Sequence, residues 1–257
     1  PRVAAFVHVA LLDGWDGIVC EIVAALARGG LLHSNRTDVR FVLVAPRPGD
    51  VWPRVPASGA ALLARCGVPP LSAQGARVEL EPIDAPLSAY EVPTLARLHA
   101  AARAFADGGH GNEPDALVLY LHSKGVGRAP ARGDSSARDD WRRFMLHRLV
   151  ERPCACIARL APITVALTAA DVPLRATCGV DLWEWPHLHY SGNFWWARAA
   201  YVAALPPPGT LVDVAAHPNF YGRPRYGSEF WLGGGVGGVV NPARIAGRVA
   251  LHYSLGH

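Results

Sequence analysis

Lysine is almost missing from this 257-residue chain: of its 25 lysine and arginine residues only Lys124 is lysine. Arginine has been written nearly everywhere else a cation stands, so the one lysine is a candidate for a specific role. Apolar runs are short as well. None reaches the ~18 residues of a membrane helix, so no membrane span is expected. The opening RVAAFVHVALL has the apolar character of a signal segment but no small-residue cleavage site, and it reads as a buried first strand. The five cysteines, Cys20, Cys66, Cys154, Cys156 and Cys178, include no C-x-x-C pair and no partner set for zinc. They are expected to be reduced, mostly in the core, in a cytoplasmic protein. No G-x-S-x-G elbow is present, which argues against serine hydrolysis. No repeat or heptad pattern appears either. The net charge of +4 comes from scattered arginines, without a basic stripe interleaved with aromatics, so no nucleic-acid partner is expected. Finally, GGGVGG at 233–238 lacks a following helix and acid, which disqualifies it as a dinucleotide fingerprint.

What is present alternates between strand-like and helix-period segments, the pattern of an α/β fold. Val3 to Leu11 reads as a strand. Ile18, Val19, Ile22, Val23 and Leu26 recur at helical spacing and stop at Gly29-Gly30. Val39 to Ala45 is the next strand. From 46 to 87 the chain is rich in Pro, Gly, Ala and Ser, with only a short helix at Leu62-Leu63 and a short strand at Val78 to Leu80. Pro93 suits the first turn of a helix whose stripe is Leu95, Leu98, Ala102 and Phe105. A strand over 116–121 follows, then a polar Gly- and Arg-rich loop. Asp139 or Asp140 is placed to cap a helix carrying Trp141, Phe144, Met145 and Leu149, and Pro153 starts another. Ile163 to Leu167, Thr177 to Leu182 and Asn193 to Trp196 are further strands, the last running into a short helix ended by Pro206.

Ligands of open α/β sheets bind outside the carboxyl ends of strands. LVLYLHSKGVGR, residues 117–128, delivers His122, Ser123, Lys124 and Gly125 to such an end. Lysine offers a compact positive charge, histidine a hydrogen bond of adjustable charge, serine a small donor, and glycine a close backbone approach. That set suits a diphosphate.

Four co-linear blocks carry a resemblance over most of the chain: FVHVALLDGWDGIVCEIVAALARGGLL; YEVPTLARL at 90–98; LYLHSKGV followed by DDWRRFM; and HYSGNFWWARAAYVAALP with SEFWLG at 228–233. The pattern resembles glycosyltransferase-like proteins of viral, algal and bacterial origin. These are related to rhamnan-synthesis-type transferases and to the N-terminal domain of a chlorovirus multidomain rhamnosyltransferase. The stretch 46–87 and the glycines after Trp231 depart from it. The resemblance implies a single GT-A-like (nucleotide-diphospho-sugar transferase) domain over 1–257, with a mixed, mostly parallel central sheet flanked by helices. Residues 1–125 would form the nucleotide-sugar-binding half and 126–257 the acceptor-binding half, and the resemblance allows for a larger multidomain chain around them. The implied activity is transfer of a sugar from a nucleotide-diphosphate donor to a glycan or glycoconjugate. The alternative is a catalytically inactive sugar- or nucleotide-binding module.

The Asp-x-Asp metal motif of many GT-A enzymes is absent, and His122-Ser123-Lys124 occupies the equivalent place. Lys124 then replaces a divalent metal (Mn or Mg), or a metal is held elsewhere, with His252 and His257 as candidates. Tyr90, Glu91 and Thr94 are placed for the base or ribose, with Thr94 alternatively serving the helix terminus, and Arg142 for a phosphate. On the acceptor side stand His189, Ser191, Gly192, Asn193 and Trp195. At most one of Trp195 and Trp196 is expected to stack on a sugar, since successive strand residues face opposite ways. Glu229 is the first candidate for the base that takes the acceptor hydroxyl proton, with Asp181 in reserve.

Overall fold

The structure is a computed structural model and describes residues 1–45, 55–86, 89–108, 115–123, 135–160, 176–183, 189–210 and 225–234. The strand expected at Ile163 to Leu167 lies outside these residues, as do Lys124 and Gly125.

Strand β1 (Val3–Ala10) is apolar on both faces because it lies inside a parallel sheet with elements packed on either side. It leads through α1 (Trp15–Arg28) to β2 (Thr37–Ala45), and through α2 (Gly59–Arg65) to β3 (Arg77–Asp84). The Pro- and Ala-rich stretch thus holds the short helix and strand expected of it, both longer than their apolar residues suggested. Helix α3 (Val92–Ala106) carries Pro93 in its first turn and returns the chain to β4 (Leu117–His122). Then follow α4 (Ser135–Leu146), a π-helical turn (His147–Glu151) and α5 (Cys154–Arg159). Asp139 sits inside α4 rather than capping it, and its carboxylate pairs with Arg142 one turn on. The short strands β5 (Thr177–Gly179), β6 (Leu182–Trp183), β7 (His189–Tyr190) and β8 (Trp195–Arg198) come next, with α6 (Ala199–Ala203) and α7 (Arg225–Phe230). A single expected strand over Thr177 to Leu182 is therefore two, interrupted where Asp181 takes a positive φ of 53°.

The six-stranded sheet has the order β3-β2-β1-β4-β8-β5. Its first four strands are parallel, while β8 runs antiparallel to both β4 and β5. Val3, Ala5, Val7 and Val9 face α1, α2 and the π turn, whereas Ala4 and Phe6 face α3 and α6. Crossovers on opposite faces make a topological switch. From β1 the chain steps outward to β2 and β3, then α3 carries it back past β1 to β4. The crevice of an open parallel sheet opens at that point, here between the carboxyl ends of β1 and β4.

Trp195 and Trp196 are both buried, on opposite faces of β8. Trp196 donates its indole N–H to the Leu149 carbonyl in the π turn at 2.8 Å. Trp195 lies against Tyr120 and Trp231 and is not available to stack on a sugar, contrary to expectation. Among the described tryptophans the exposed indole is instead Trp183, 52% accessible and held by a 2.9 Å hydrogen bond to Asp181.

The reduced state expected for the cysteines is also corrected. Cys20–Cys66 links α1 to the end of α2, Cys156–Cys178 links α5 to β5, and Cys154 is free and exposed. Their separations of 46 and 22 residues resemble no local motif, so only the fold reveals the pairs. Disulfides persist in oxidising compartments, which removes the ground for expecting a cytoplasmic setting. No helix among the described residues is long and apolar enough to cross a membrane.

Candidate functional site

At the switch point His8 and His122 are paired across β1 and β4 as the last partners of the register. Ser123 fixes the exit of β4. Its N–H donates to the His8 carbonyl at 2.8 Å, and its Oγ accepts the Ala10 N–H at 3.0 Å. Ser123 is buried, so its oxygen serves the sheet edge, and the next residue in the chain is Lys124.

The first turn of α3 closes one side. Thr94 is fully buried and bonds through Oγ1 to His8 Nδ1 at 2.8 Å. It therefore has no surface to offer a base or ribose, and it holds β1 to α3. Tyr90, before the helix, is exposed with a positive φ of 47° and stands at the rim. Between them Glu91 receives Asn193 Nδ2 at 2.6 Å and lies 3.5 Å from His122 Nδ1.

The β7–β8 turn closes the other side. Gly192 has φ 83°, and a Cβ there would come within 2.6 Å of Met145 Sδ and 2.8 Å of Trp141 Nε1. Only glycine fits the space and the conformation. Its carbonyl faces His122 Nε2 at 2.9 Å. Asn193, at φ 55°, is buried, and its Oδ1 accepts the Trp195 indole N–H at 2.9 Å. Ser191 belongs to the same turn and donates its N–H to the Asp181 carbonyl at 2.9 Å.

Burial governs the ionisation of this cluster. It pulls His8 down to about 4, with the nearby His122 adding to the fall and Glu91 opposing it. His8 is thus neutral at physiological pH. The Tyr120 hydroxyl makes no well-formed hydrogen bond but lies close to Glu91. Burial, then Glu91, then the charge of Glu229 push it well above the usual phenol range. Glu229 is half-buried on α7, near enough to act on Tyr120, and so belongs to the same neighbourhood as Glu91. His189 packs edge-on against the adjacent Phe230.

Two expected site residues have their charged groups engaged by protein partners. The Arg142 guanidinium is buried and paired with Glu21 at 2.8 Å and Asp139 at 2.8 Å, which commits its charge to α1 and α4 rather than to a phosphate. Asp181 binds the Trp183 indole in the turn between β5 and β6. Among the described residues no group of three or more His, Cys, Asp or Glu side chains is gathered to hold a metal ion. His252 and His257 lie outside the described residues. Sequence reading left His8 unassigned and gave Glu91 only a ligand contact. The one signal for either was the position of His8 near the end of the first strand.

The fold and site define a mixed α/β protein with a cluster of polar side chains at the switch of a mostly parallel sheet. Residues 79–235 match the family model described as Domain of unknown function (DUF8361), and the chain belongs to that family. The match contains Glu91, His122, Asn193 and Glu229, while His8 precedes it. No curated protein matches the chain.

Proposed function

We propose that this protein is a glycosyltransferase of GT-A type that binds the diphosphate of a nucleotide sugar outside the carboxyl ends of β1 and β4. One observation carries the reading: the single lysine of the chain directly follows the Ser123 anchor at the topological switch point. A compact cation next in sequence to a fixed sheet edge suits the place where open α/β sheets bind phosphates. The motif resemblance supports the same reading from the sequence side.

In this reading Lys124 offsets the negative charge that grows on the leaving diphosphate, and electrostatic stabilisation of this kind commonly contributes more to catalysis than any other effect. Glu229 takes the proton of the acceptor hydroxyl as the sugar is transferred. The turn at 189–193 forms the acceptor side, with Ser191 and His189 at its surface. Trp183, opposite His189 in the β6–β7 pair, offers an exposed aromatic ring on that side.

Incubation with a panel of nucleotide sugars tests the reading. Release of nucleoside diphosphate from at least one donor, by hydrolysis or transfer, is the expected result. Nucleoside diphosphate binding without turnover across the panel would favour an inactive binding module.

A further inference from the structure

Among the described residues three large apolar side chains are exposed: Tyr90, Phe144 and Trp183. Phe144 stacks on Trp141 of its own helix, and Tyr90 stands at the rim before α3. Trp183 is held at one edge while about half of it stays open to solvent. Its indole N–H donates to Asp181 Oδ2 at 2.9 Å, and no aromatic ring among the described residues packs against it. Asp181 makes that bond from a positive φ of 53°, an uncommon conformation for a residue with a side chain. Two bonds hold it there, since its carbonyl accepts the Ser191 N–H at 2.9 Å while its carboxylate receives the indole. Backbone held in such sparsely populated regions clusters at ligand sites.

Trp183 and His189 are directly opposite in the antiparallel β6–β7 pair, so their side chains share one face of the ribbon. Leu182 and Tyr190 take the other face, toward the core. On the shared face α7 covers His189 through Phe230, which meets its ring edge-on at 4.8 Å. Glu229 directly precedes Phe230. The open indole therefore stands beside the helix end that carries Glu229, and its anchor Asp181 is bonded to the first residue of the 191–193 turn.

We propose that Trp183 is a stacking platform for one pyranose ring of a glycan, with Asp181 holding the platform and accepting a sugar hydroxyl. With its N–H committed to Asp181, the indole meets a ligand through its face. That face is electron-rich, and the C–H hydrogens on one side of a sugar ring carry the complementary slight positive charge. The hydroxyls at the sugar's rim need polar partners. Asp181 Oδ1 takes no hydrogen bond among the described residues and supplies an acceptor beside the ring. A protein partner would call for a broad apolar patch, whereas the neighbours of Trp183 named here, Asp181, His189 and Ser191, are polar. The assignment rests on the proposed function only in making this glycan the acceptor; the binding site stands without it.

Screening the full chain against an array of oligosaccharides, with and without nucleoside diphosphate, tests the site. The wild type is expected to bind at least one oligosaccharide. Titration of that oligosaccharide should show affinity about tenfold weaker in Trp183→Ala, the order of a single ring contact, with the melting temperature unchanged. Trp183→Phe keeps a ring face and should retain more of the affinity than Trp183→Ala. An array on which nothing binds, or a dissociation constant unchanged in Trp183→Ala, would overturn the proposal. So would a loss of nucleoside diphosphate affinity in Trp183→Ala with glycan binding intact, which would assign the ring to the nucleobase. Failure of the wild type to bind nucleoside diphosphates overturns the donor reading and leaves the oligosaccharide result unaffected, so the two ideas fail separately.

Discussion

His8 and Thr94, 86 residues apart in sequence, meet through a 2.8 Å hydrogen bond in the buried space between β1 and α3. The bond ties the strand that opens the sheet to the helix that creates its switch point. The burial of His8 in that space also makes the fold sensitive to acid. His8 has its folded pKa lowered to about 4, chiefly by burial.

An unfolded chain protonates His8 at its ordinary value near 6.5, whereas the folded chain resists until about 4. Between these values the unfolded state binds more protons, so stability is whole above pH 6.5 and declines as the pH falls toward 4. The loss is on the order of 3 kcal/mol. Urea unfolding at pH 7 and pH 4.5 measures it. His8→Asn is expected to be less stable at pH 7 but to lose distinctly less between the two pH values. Equal losses in wild type and variant would contradict this origin of the acid sensitivity.

The two disulfides make a count. Unfolded without reductant, the chain is expected to show one reactive thiol, Cys154, and after reduction all five. Each bridge closes a loop, and such cross-links typically contribute ~2–4 kcal/mol. Reduction should accordingly lower the melting temperature. Five thiols before reduction would show that the pairs do not form.

Glu229 stands near the buried Tyr120, on α7 and inside the SEFWLG block. As the base, Glu229→Gln should lower turnover by ~10²- to 10⁴-fold while donor affinity stays nearly constant. A lowered melting temperature with donor and acceptor binding weakened together, and turnover at saturation preserved, would assign it a structural role. Asp181 would then be the next carboxylate to substitute, although its bond to Trp183 already engages it.

The sheet was legible because its signals are local. Continuous apolar runs marked β1, β2 and β4, Pro93 marked the start of α3, and the exit His122-Ser123 was visible as polar residues ending a buried strand. Partnerships between distant residues were not. Nothing in the sequence pairs Cys20 with Cys66, seats Thr94 on His8, or commits Arg142 to Glu21. The aromatic pair Trp195-Trp196 shows the limit well. Alternation correctly sent the two rings to opposite faces, but both faces of β8 are covered, so neither ring reaches solvent. Whether a strand is covered on one face or two depends on elements elsewhere in the chain.

The most direct test of the donor reading is calorimetric titration of nucleoside diphosphates into the wild type and Lys124→Ala. A lysine that serves a ligand contributes little to folding, so the variant should keep the wild-type melting temperature. Its nucleoside diphosphate affinity should fall by ~1.5–3 kcal/mol, the range for a charge-assisted hydrogen bond. Lys124→Arg should not restore it, because a guanidinium fork does not replace a compact ammonium at a crowded site. Exhaustive chelation should leave wild-type binding intact if Lys124 supplies the counter-charge. A dissociation constant unchanged in Lys124→Ala would contradict the account.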